Sequence, residues 1–110
     1  MKIQSSIQNV KPSNAFAGNL TINSWPQRLN SSLSWFVNRA EKDLDVLPDV
    51  LVTTGLDKQG QEILISEVRL PNNDKFSHVN QSIPSVPQEI KKSLEMIIIN
   101  TNINYFIEAG

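Results

Sequence analysis

Apolar side chains recur at Leu29, Leu33, Phe36, Val37, Ala40 and Leu44, the three-and-four spacing of a single helical stripe. The stretch ahead of them, Ser24-Trp25-Pro26-Gln27, carries a start signal. Ser24 is placed to cap, Gln27 to act as its capping-box partner, and Pro26 falls in the first turn, where a missing N–H costs nothing. Pro48 closes the segment. The pattern predicts a helix over 25–44.

A shorter period follows. Val50-Leu51-Val52-Thr53-Thr54 and Glu62-Ile63-Leu64-Ile65-Ser66-Glu67-Val68 read as strands, with Asp57-Lys58-Gln59-Gly60 between them. Aspartate can accept a hydrogen bond from the backbone two residues on, and glycine supplies a positive φ, so an antiparallel hairpin is predicted. Residues 71–84, with Pro71, Asn72, Asn73, Asp74 and Pro84, read as a long polar connection.

Ser85-Val86-Pro87-Gln88 repeats the first start signal. The match runs on to Ser93 and Leu94, against Ser32 and Leu33, and stops there, so shared capping chemistry explains it better than a duplication. Ile90, Leu94, Ile97, Ile98 and Tyr105 share one helical face. Met96, Ile99, Ile103, Phe106 and Ile107 lie elsewhere, which makes the carboxyl half apolar nearly all round. The β-branched run Ile97-Ile98-Ile99 and the poor helix formers Asn100, Thr101, Asn102 and Asn104 leave a strand open over 97–107. A helix over 86–107 is preferred.

The first 23 residues, rich in Ser, Asn, Gln and Ile, are expected to be a frayed terminus carrying one edge strand. Lys2-Ile3-Gln4 and Asn19-Leu20-Thr21-Ile22 are the two candidates, with turn chemistry from Val10 to Asn14 between them. Helix, hairpin, loop and helix in that order point to the α+β class. The expected architecture is two helices packed on a small antiparallel sheet built around the central hairpin at 50–68. Two strands alone are marginal, so the amino-terminal segment or a second chain is expected to complete the sheet. A length of 110 residues predicts one domain.

Composition narrows the function. Ten Lys and Arg against eleven Asp and Glu, a net charge of -1, give no reason to expect a nucleic acid or a membrane as partner. No apolar run reaches the roughly 18 residues of a membrane span, and Met1 to Val10 lacks the apolar core of a signal peptide. The absence of cysteine leaves no disulfide or thiolate chemistry. A cytoplasmic protein is expected, with leaderless export open.

Candidate chemistry is sparse. His78, the one histidine, falls in the predicted loop with no Gly-x-Ser-x-Gly elbow in the chain, and reads as an exposed loop residue. One histidine without cysteine argues against a zinc site. Asp43, Asp45 and Asp49 offer oxygen ligands for Mg²⁺ or Ca²⁺. Their spacing is not that of an EF-hand, and they read as a solvated acidic helix end. The four glycines are scattered, with no phosphate-cradling loop, and no cofactor is expected.

One feature stands apart. On a helical wheel Trp35 points roughly opposite the apolar stripe, among Arg28, Arg39 and Lys42. A tryptophan ringed by cations is a candidate hot spot for a protein partner or for self-association. The competing reading covers it with the amino-terminal strand or packs it within the chain on Arg39, one turn away. Stacking on a nucleic-acid base is the least favoured.

The missing catalytic set, the small size, Trp35 and the surplus apolar surface of the last helix together predict a non-enzymatic protein–protein interaction module. An adaptor, inhibitor, chaperone or immunity-type binder fits, acting as a homodimer, with Trp35, Arg28, Arg39 and Lys42 as binding residues. Two alternatives belong to other classes. Up to Ala40 the chain holds no acid, and this Ser/Asn/Gln/Ile-rich start resembles the leaders of type III secretion substrates, which implies a small exported bacterial effector. A small metal-dependent enzyme, or a subunit of one, would use Asp43, Asp45, Asp49 or His78.

Overall fold

The computed structural model describes residues 18–71 and 74–110. Within them the chain runs β1 (Leu20–Ile22), a 3-10 turn (Gln27–Leu29), α1 (Asn30–Asp43), β2 (Val50–Leu56), β3 (Glu62–Arg69), β4 (Phe76–Ser82) and α2 (Pro87–Ala109). The strands form one sheet in the order β1-β2-β3-β4, and the class is α+β. The strand expected at Lys2-Ile3-Gln4 lies outside the described residues.

The sheet is mixed, which corrects the antiparallel one expected. β2, β3 and β4 are antiparallel neighbours, but β1 runs parallel to β2, with Leu20 beside Val50 and Ile22 beside Val52. The cause is α1. A helix between two strands carries the chain back to the end where the first strand began, so the flanking strands run the same way. The central hairpin forms as its turn chemistry dictates. Asp57 Oδ1 accepts the N–H groups of Gln59 (2.9 Å) and Gln61 (2.8 Å), and Gly60 adopts φ +80°.

β4 replaces most of the connection expected over 71–84. Its inward positions are Ser77 and Val79, both buried, and the strand pairs with β3 along its whole length. His78 is therefore a strand residue, and its Nδ1 lies 3.1 Å from Glu67 Oε2 on the neighbouring strand.

Both helices cover the same face of the sheet. Leu20, Val52 and Ser66 from three successive strands meet Phe36 and Leu44 at α1, and Ile97, Ile98 and Thr101 of α2. α1 buries Phe36 and Ala40, whereas Leu33 and Val37 are only half-buried. Trp25 fills the corner ahead of it, its ring 4.9 Å from Phe36 and its Nε1 donating to the Leu29 carbonyl (2.9 Å). In α2, the Thr101 hydroxyl donates back to the Ile97 carbonyl (2.6 Å), which satisfies a polar group inside an apolar face.

Neither serine start signal caps its helix. Ser24 Oγ accepts the Thr54 N–H (2.7 Å) and lies 2.9 Å from Thr53 Oγ1, so it ties the chain after β1 to β2. Val86, not Ser85, precedes the first turn of α2, and no side chain caps it. Among the described residues no helix is long and apolar enough to cross a membrane.

Candidate functional site

α2 has two apolar faces. Leu94, Ile97, Ile98, Thr101 and Tyr105 recur at three- and four-residue spacing and are buried. Met96, Ile99, Ile103, Phe106 and Ile107 recur with similar spacing half a turn away. They stay 36%, 45%, 54%, 53% and 71% exposed. One small sheet and one neighbouring helix can cover only one side of a cylinder about 10 Å across. The second row therefore remains uncovered.

An open groove of about 760 Å³ runs beside this row, where the end of α1 meets α2. Ile99, Ile103, Phe106 and Ile107 form one side and Lys42 and Asp43 the other. Asn102 joins the two helices there. Its Nδ2 donates to the Asp43 carbonyl (3.1 Å), one of the carbonyls a helix end leaves without a partner, while its Oδ1 is buried with none. A second strap lies further up. Arg39 Nε donates to Asp43 Oδ2 (2.8 Å) and Nη1 to Glu95 Oε2 (3.1 Å). The bond to Asp43, followed by the charges of Asp43 and Glu95, raises the Arg39 pKa above its ordinary value, so the strap keeps its positive charge.

Trp35 is not on a free outer face. It is half-buried and packed against the core, with Arg39 5.8 Å and Lys91 of α2 5.1 Å from its ring centre. The wheel measures direction from a single buried stripe. α1 is covered twice, by the sheet and by α2, and Trp35 faces the second cover. Of the residues predicted around it, only Arg39 is beside it. Arg28 lies elsewhere, donating to Glu62 (3.0 Å) and to the Pro84 (3.1 Å) and Ile83 (3.2 Å) carbonyls ahead of α2. Lys42 stands at the groove. The exposed row on α2 was absent from the predicted binding residues, although its signal, apolar character all round the helix, is plain in the sequence.

A second cleft of about 740 Å³ lies at the end of the sheet, with Asp49, Glu67, Arg69, Phe76 and Tyr105 in its wall. Its charged groups are already engaged by the backbone or by side chains outside the cleft. Asp49 Oδ1 accepts the Asn19 N–H (2.9 Å), Glu67 pairs with His78, and Arg69 lies over the Phe76 ring (5.0 Å) and bonds Asp74 (3.3 Å). Asp43 and Asp49 are thus engaged separately, and among the described residues no group of three His, Asp or Glu side chains is placed to hold a metal ion.

Compared with protein-family models, with curated proteins and with solved structures, the chain has no match in any of the three.

Proposed function

We propose that this chain is a non-enzymatic protein–protein interaction module, of the adaptor, inhibitor, chaperone or immunity-type kind, and that its docking surface is the outer face of α2. The observation that carries the reading is the row Met96, Ile99, Ile103, Phe106 and Ile107, left exposed directly opposite the buried row of the same helix. A contiguous apolar patch of this sort is costly to leave in water and marks an interaction surface more often than a bystander. The straps from Arg39 and Asn102 fix α2 against α1. The surface is thus rigid before binding, and less ordering entropy opposes association.

The charged side chains support the same reading. Arg28, Arg39 and Arg69 each hold an acid, and His78 holds Glu67, so they work as structural ties. The test is a photo-crosslinking residue at position 103 in the expressing cell, with one at exposed Lys58 as control. A discrete crosslinked product at 103 and none at 58 is expected. Equal or absent crosslinking at both positions would remove the α2 face as a docking surface.

A further inference from the structure

We infer that the occupant of this face is a second copy of the chain, with the two α2 helices packed antiparallel across a two-fold axis between Ile99 and Ile103; this rests on the reading of the α2 face as a docking surface. Three features of the face point there. The first is self-complementarity. A two-fold interface must satisfy itself with one patch, and from Met96 to Ile107 the outer row carries no charge that would meet its own copy.

The second is area. The exposed fractions of these five side chains leave on the order of 500 Å² uncovered, so pairing two copies removes up to roughly 1,000 Å² from them, about the least that a biological interface buries. A short peptide laid on the same row would have to bring all its own affinity. A second copy brings an equal and already ordered surface.

The third is charge, which sets direction. Glu89 and Lys92 lie on the same outer side, at the amino-terminal end of the row, and both are exposed. Parallel helices in register would place Lys92 on Lys92 and Glu89 on Glu89, like charges face to face. Antiparallel helices superimpose the two apolar rows, each about 16 Å long at 1.5 Å per residue. They also carry Lys92 past the partner's last apolar residue to the carboxyl end of its helix, where the carbonyl dipoles favour a cation.

The chain has no cysteine, so one introduced thiol is a clean probe. Sedimentation of the full chain is expected to give a dimer at roughly 100 µM, and Ile103→Glu to weaken it at least about 100-fold with an unchanged circular dichroism spectrum. Under mild oxidation Ile103→Cys, near the axis, is expected to form a disulfide-linked dimer, and Lys92→Cys, far from it, to stay reduced. Crosslinking of Lys92→Cys as readily as Ile103→Cys would overturn the antiparallel arrangement. A wild type that stays monomeric would overturn the second copy outright. If the position-103 photo-crosslinker still captures a different protein in that case, the interaction reading stands without self-association; if it captures nothing, both fall. Met96→Glu, at the other end of the row, repeats the test should Ile103→Glu fail to fold.

Discussion

The Lys91 ammonium of α2 sits 5.1 Å from the centre of the Trp35 ring of α1, and Arg39 approaches the same ring to 5.8 Å. Trp35 is thus a clamp between the helices, with its hydrophobic body against the core and two cations over its π system. Its loss removes packing as well as these contacts. Full burial and truncation of an aromatic costs about 3–5 kcal/mol, an exposed cation–π contact about 0.5–1 kcal/mol, and half-burial places Trp35→Ala near 2 kcal/mol. Urea unfolding should show that fall, and Trp35→Phe should restore most of it. A midpoint unchanged in Trp35→Ala would mean that the ring packs against neither helix to any purpose.

The two serine start signals separate in the structure, and a pair of alanine variants should separate in stability. Ser24 Oγ is the acceptor for the Thr54 N–H. Ser24→Ala leaves that part-buried donor unpaired, at a cost of about 1–2 kcal/mol. Ser85 is exposed and caps nothing, so Ser85→Ala should stay within about 0.5 kcal/mol of wild type. Equal losses in thermal unfolding would return the capping role to Ser85.

What the sequence reveals divides by range. The hairpin is legible because Asp57 and Gly60 act on atoms within four residues of themselves. α1 is legible from spacing; for α2 spacing prefers a helix, while Ile97-Ile98-Ile99 and the asparagines after it also fit a strand. β4 is not legible, because its inward Ser77 interrupts the apolar alternation, and the partner that makes this tolerable, Asn104 Nδ2 donating to Ser77 Oγ (2.7 Å), comes from α2. The direction of β1 is likewise set by the helix that follows it. Of the two readings open for Trp35, packing within the chain on Arg39 is the one the structure shows; the wheel alone favours an outer face because it registers one neighbour and α1 has two. The exposed row of α2 could be read as a surplus of apolar residues; which of them stay uncovered depends on where α1 and the sheet end.

Ser66 offers a substitution expected to stabilise. It is 2% exposed, and its hydroxyl is buried without a hydrogen-bond partner. Around it stand Leu20, Phe36, Leu44 and Val52. A buried hydroxyl that makes no bond has been stripped of water for no return. Ser66→Ala should therefore raise the melting midpoint, by up to about 1 kcal/mol in stability. A lower midpoint would show that the hydroxyl does bond in solution.

Ile98 and Ile99 are neighbours in sequence with opposite surroundings, 2% and 45% exposed. Ile98 packs beside Phe36 and Val52, and Ile98→Ala should cost about 2–5 kcal/mol through the cavity it leaves. That loss belongs to the fold and should be the same at every protein concentration. Ile99→Ala removes a side chain that meets water in the single chain, and alanine is the better helix former. In dilute protein its stability should lie within about 0.5 kcal/mol of wild type. Association adds stability to the folded state by mass action. On concentrating the protein, the wild-type urea midpoint should therefore climb while that of Ile99→Ala lags behind. Parallel rises in the two proteins would place the association surface elsewhere, and a dilute-protein loss in Ile99→Ala as large as that in Ile98→Ala would make Ile99 part of the core.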